Sequence, residues 1–143
     1  MIPVNRKAKG TNAERELVSK FWNASWAALR VAGSGSSRFP SPDVIAGNGY
    51  RRLAIECKTV AELRKYLDAG RVEELKTFSA KFGAEPWIGI RFPAALVDEQ
   101  WHFVSLEDLA KTEKGHVISI QLARRKGLTF EQLIGKFDGQ QNI

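Results

Sequence analysis

Asp43, Glu56 and Lys58 are the residues whose types and spacing invite chemistry. Between them Asn48-Gly49 separates two apolar runs, a strong hairpin signal because both residues tolerate positive φ. With those two as the loop of a type I′ turn, Gly47 faces Tyr50 and Asp43 lies opposite Ala54. Side chains alternate along a strand, so Asp43, Ala54, Glu56 and Lys58 share one face. Glu56 becomes the diagonal neighbour of Asp43, at roughly 7–8 Å between backbones. Val44, Leu53, Ile55 and Cys57 face the other side and form core. Two carboxylates reaching inward from that separation can hold one cation. Mg²⁺ suits such a pair, with water and a phosphate completing its shell. The bound ion polarises a phosphate and activates water. A lysine beside it orients the attacking water or meets the developing charge. Asp, Glu and Lys on one face therefore suffice for phosphodiester hydrolysis. Spacing alone favours a plainer alternative, a surface hairpin with an ordinary Glu56–Lys58 ion pair.

A fourth acid comes from the first helix. Thr11-Asn12-Ala13-Glu14 has capping-box spacing, and Leu17, Val18, Phe21 and Trp22 follow at helical intervals. Glu14 lies on the stripe of Val18 and Phe21, which is predicted to face the sheet. A carboxylate there needs a partner or a metal. The alternative is that it caps the helix and pairs with Arg15 or Lys58.

These residues need a scaffold. Strands are predicted at Ala28–Ala32, Asp43–Gly47, Tyr50–Thr59, Trp87–Phe92 and Trp101–Val104. A helix is predicted over Gly70–Phe82 with Val72, Leu75, Phe78 and Phe82 as its stripe. Shorter helices follow at Leu106–Lys111 and Phe130–Phe137. The result is one α/β domain over 1–143, a central mixed β-sheet flanked by helices. Residues 1–10, with Arg6, Lys7 and Lys9, are expected to form a flexible basic arm, either a solvated tail or one that touches phosphates.

Composition fits that picture. Apolar residues make up 43% and charged residues 27% of a 143-residue chain, an ordinary globular balance. The formal charge is +6 and the pI about 9.7, the footprint of a nucleic-acid binder. The lone Cys57 permits no internal disulfide. No apolar run approaches the ~20 residues of a membrane span. A soluble, cytoplasmic protein is expected. Arg64, Lys65 and Arg71 flank the hairpin and are candidates for phosphate contacts. His102 and His116 read as structural, the four tryptophans as core or dimer contacts, and Arg124-Arg125-Lys126 as a solvated face.

The series Pro42-Asp43, twelve residues, then Glu56-Cys57-Lys58 resembles the PD-(D/E)xK nuclease motif. Within that superfamily the chain is similar to archaeal Holliday junction resolvases of the Hjc type. Lys9-Gly10, Ala13-Glu14-Arg15-Glu16, Arg30 through Ser36, Asp43-Val44-Ile45-Ala46 and Phe78 through Gly83 carry the likeness. The resemblance implies a restriction-endonuclease-like fold and a homodimer cutting four-way DNA junctions with Mg²⁺ or Mn²⁺ during recombination and repair, in association with the nucleoid. It makes Asp43, Glu56 and the carbonyl of Cys57 metal ligands, Lys58 the catalytic lysine, and Glu14 the holder of a water or second ion. It makes Ser34, or Ser36 if the loop is displaced, a serine needed for cleavage. Lys9, Arg15 and Arg30 would lie near DNA, and Phe78 and Phe82 at the dimer interface. Two other readings stay open: a restriction or repair nuclease acting on linear duplex, and a DNA-binding module without catalysis. Too little chain remains for the recognition elements of the first, and the intact acidic set argues against the second.

Overall fold

The computed structural model describes residues 6–36 and 38–141. Helix α1 (Arg6–Asn23) opens the chain. Ala13, Leu17 and Phe21 recur every four residues and are buried. The chain leaves α1 through Ser25 at φ 68, and the Trp26 N–H closes back onto the Phe21 carbonyl at 2.9 Å. The expected capping box is not a start signal here. Thr11 and Glu14 sit inside the helix, because Arg6, Lys7, Ala8 and Lys9 are good helix formers that carry it upstream. Residues 6–10 of the expected basic arm are helical for the same reason, and residues 1–5 lie outside the described residues.

Strands β1 (Ala27–Arg30), β2 (Val44–Gly47) and β3 (Arg52–Thr59) form an antiparallel meander. The β2–β3 register corrects the expected turn. Gly47 pairs with Arg52, not Tyr50, and Ala54 pairs with Ile45. Asn48 causes this. Its side-chain oxygen accepts from the N–H groups of Tyr50 (2.9 Å) and Arg51 (2.7 Å), and such an Asx turn widens the loop. Gly49 takes positive φ (95°) but Asn48 does not, so the type I′ turn is not formed. The shift is two residues, so each side chain keeps its expected face.

Next come β4 (Arg64–Asp68), α2 (Ala69–Phe82), β5 (Glu85–Arg91) and β6 (Trp101–Ser105). Asp68 caps α2 by accepting from the Gly70 N–H, and Gly83 ends it at φ 80. β5 pairs parallel to β3 and antiparallel to β6, giving the five-stranded mixed order β1-β2-β3-β5-β6. The chain closes with β7 (Ala110–Thr112), β8 (Gly115–Ser119), α3 (Ile120–Lys126) and α4 (Phe130–Gln141). β4, β8 and β7 form a second, three-stranded sheet, which the sequence reading lacked. The helix expected at Leu106–Lys111 is a 3₁₀ turn (Leu106–Asp108) leading into β7.

Both faces of the large sheet are buried at its centre, while the edge strand β1 stays partly exposed. Val44, Leu53, Ile55, Trp87 and Phe103 pack against α1 and α4 through Leu17, Phe21, Phe130 and Leu133. Ala54, Ile88, Ile90 and Val104 pack against α2, α3 and the small sheet through Val72, Leu75, Ala123, Leu67 and Ile118. Trp26, Trp87 and Trp101 are core, while Trp22 is exposed and donates to the Ala28 carbonyl at 2.9 Å. His102 is buried edge-on to Phe92, and Arg124, Arg125 and Lys126 are exposed.

Candidate active site

The acids meet at one end of the β2–β3 pair. Asp43 stands just before β2, and its N–H donates to the Ile55 carbonyl at 3.0 Å. Its Oδ2 accepts from the Cys57 N–H at 2.8 Å. The carboxylate is thus held beside Glu56, not opposite Ala54. Ser34, in the 3₁₀ turn Ser34–Ser36, donates its hydroxyl to Asp43 Oδ1. Asp43 and Glu56 are 6% and 4% exposed, which for carboxylates demands compensation. Two residues along β3 from Glu56, Lys58 Nζ lies 3.5 Å from Glu56 Oε2.

Arg71, in the first turn of α2, supplies the rest. Nη2 is 2.7 Å from Glu56 Oε1 and 3.8 Å from Asp43 Oδ1. Nε donates to Glu56 Oε2 at 3.2 Å. Nη1 donates to Glu74 at 2.9 Å and to the Ser34 carbonyl at 3.4 Å. Arg71, expected among the phosphate contacts, is instead folded onto the acids.

Glu14 pairs with Arg30 at 3.6 Å, and not with Arg15 or Lys58. Burial, with the charge of Asp43 adding to it, pushes its carboxyl up to about 7, against the pull of Arg30. Burial and Asp43 likewise raise Glu56, against Arg71 and Lys58. Burial also pushes the Cys57 thiol well above its ordinary value. The side chain packs against the core, so it is no nucleophile.

The donor set fits a hard divalent cation. Both carboxylates already converge on a single guanidinium nitrogen. Among the described residues no cluster of three or more acidic, His or Cys side chains is shaped to hold a metal unaided. Mg²⁺ is typically held by one or two carboxylates, with water and substrate oxygens completing its shell.

The other expected DNA contacts lie apart. Lys9 and Arg15 are exposed on α1, and Arg64 and Lys65 are on β4, Arg64 exposed and Lys65 half-buried. Phe78 and Phe82 stack at 5.1 Å between ring centres on α2. With Phe39 and Pro40 they line an apolar recess of about 390 Å³. The sequence did not bring Arg71 or Glu74 to the site. One signal was present: an arginine in a first turn that contains no acid opposes the helix dipole.

Comparison with known proteins places this geometry in context. The family model for archaeal Holliday junction resolvase (hjc) matches residues 5–142. Crossover junction endodeoxyribonuclease Hjc of Archaeoglobus fulgidus is 44% identical over 131 residues, 92% of this chain and 93% of the relative. The enzyme of that name from Sulfolobus acidocaldarius is 30% identical over 96% of this chain and 94% of its own. Crossover junction endodeoxyribonuclease Hje of Saccharolobus solfataricus is 39% identical over 58% of this chain and 63% of its own. The solved structure of Archaeoglobus fulgidus Hjc, a Holliday junction resolvase, superposes with a TM-score of 0.80 at 43% identity, covering 88% of this chain and all of that one.

Proposed function

The chain belongs to the archaeal Holliday junction resolvase (Hjc) family, and from that premise we propose that it resolves four-way DNA junctions by paired, Mg²⁺-dependent phosphodiester hydrolysis. The convergence of Asp43 and Glu56 on one cationic nitrogen carries this reading. Mg²⁺, or Mn²⁺ in its place, would be held by those two side chains with the Cys57 carbonyl as a further oxygen. When bound, the ion supplies Lewis-acid polarisation of the phosphate and activation of water.

The protein's own groups do the rest. Ser34 and the Cys57 N–H fix the Asp43 carboxylate from both oxygens. Lys58, beside Glu56, orients the attacking water and meets charge that develops on phosphate. Glu14, paired with Arg30, would hold a water or a second ion. Lys9, Arg15, Arg64 and Lys65 meet the DNA arms, where phosphate contacts fix position without reading sequence.

Junction resolution needs two symmetric nicks, and a two-fold dimer presents two equivalent sites. The stacked Phe78–Phe82 pair and its recess support a homodimer through α2. Among the described residues no helix is long and apolar enough to cross a membrane. A cytoplasmic, nucleoid-associated place of action follows from the substrate.

The test sets a synthetic four-way junction beside a linear duplex of matching arm sequence, with Mg²⁺ or EDTA, using wild type and Asp43→Asn. The expected outcome is paired symmetric nicks in the junction alone. Asp43→Asn should abolish cutting but retain junction binding. Equal cutting of the duplex moves the function to general hydrolysis, and tight binding without cutting makes the chain a non-catalytic module.

A further inference from the structure

We infer that Arg71 occupies the cation position of this site in the metal-free protein, and that the divalent metal must displace it from Glu56 to bind. The inference rests on the reading of Asp43 and Glu56 as metal ligands.

The geometry is that of an occupant. A carboxylate offers two oxygens, and Arg71 takes both of those on Glu56, through Nη2 at 2.7 Å and Nε at 3.2 Å. This planar two-point pairing is one that guanidinium makes and ammonium cannot. The same Nη2 is the atom nearest Asp43, at 3.8 Å from Oδ1. A cation bridging the two acids would stand where that nitrogen stands.

The placement of Arg71 argues that the acids hold it there. A cation in a helix's first turn is unfavourable with the macrodipole. Capping by Asp68 leaves the helix start otherwise in order. What retains Arg71 is therefore Glu56 and Asp43 on one side and Glu74 on the other.

The arginine also has somewhere to go. Glu74, three residues on in α2 and 44% exposed, already accepts from Nη1 at 2.9 Å. Releasing Nε and Nη2 leaves that contact intact and turns the guanidinium toward solvent, where a DNA phosphate could take it. Arg71 thus keeps two buried carboxylates tolerable side by side until the metal arrives, and in doing so weakens the metal's hold.

Mn²⁺ binding to the metal-free protein, without DNA, decides this. Titration calorimetry and the spin signal of free Mn²⁺ would be read for wild type, Arg71→Gln and Arg71→Lys. Arg71→Gln should bind Mn²⁺ at least about tenfold more tightly than wild type, the scale of one lost charge-assisted contact. Arg71→Lys, which keeps the charge but not the two-point pairing, should fall between them. Without metal, Arg71→Gln should melt below wild type, and saturating Mn²⁺ should close the gap. Damage to the site would loosen Mn²⁺ binding, so tighter binding is not a structural side effect. Equal or weaker binding by both variants overturns the displacement and leaves the metal site standing. No Mn²⁺ binding by any of the three proteins overturns both.

Discussion

Ser34 and Ser36 lie in one 3₁₀ turn but do different things. Ser34 is buried and donates to Asp43 Oδ1. Ser36 is exposed and donates to the Gly33 carbonyl at 3.3 Å. Sequence could not choose between them, because a Gly-Ser loop carries no periodicity. Ser34 is the serine that reaches Asp43. Ser34→Ala should lower the cleavage rate about ten- to a hundredfold, as loss of a group orienting a metal ligand does. Ser36→Ala should cut at nearly the wild-type rate, and single-turnover cleavage of a junction measures both. Asp43, Glu56 and Lys58 were legible because a strand's period of two survives a register error of two residues. Arg71 was not. The one local hint, a cation set against the dipole at the start of α2, does not say that its side chain returns to β3.

Among the elements, the large sheet was readable and the small one was not. β3 and β5 announce themselves by buried apolar runs such as Leu53-Ala54-Ile55 and Ile88-Gly89-Ile90. β7 is three exposed residues, Ala110-Lys111-Thr112, which only pairing with β8 makes a strand. The hairpin failed by two residues because the Asn48 side chain outcompeted the backbone turn. Strand β6 offers a test of its packing. Burial holds His102 below its ordinary 6.5, with Arg124 adding to the effect and the backbone at Gln100 opposing it. As pH drops through 6.5 the unfolded chain takes up a proton that the folded chain resists, so stability falls with falling pH. His102→Phe should lose less stability than wild type between about pH 7 and 5. Denaturant midpoints at the two pH values report it. An identical drop in both proteins would remove His102 from the acid limb.

For the whole molecule, the proposed homodimer would rest on the exposed apolar recess on α2. Phe39 and Phe82 are 71% and 49% exposed, and Phe78 stacks beneath Phe82. Apolar surface concentrated like this marks an interface. Phe82→Glu should sediment as a monomer at concentrations where wild type is a dimer. On a junction it should give single nicks in place of paired ones, and its intact fold would show in an unchanged circular dichroism spectrum. A Phe82→Glu protein that stays dimeric would move the interface elsewhere.

The acids also sit where the two cores meet. Glu14 comes from α1, which packs on one face of the sheet, and Arg71 from α2, which packs on the other. Neither layer alone completes the site. Layers of a protein open with different free energies, so whichever helix lifts first takes the chemistry with it. On heating, cutting should fail before the molecule melts as a whole. An activity assay then serves as a thermometer for the weaker of two seams, and amide exchange in α1 and α2 would identify which seam it is.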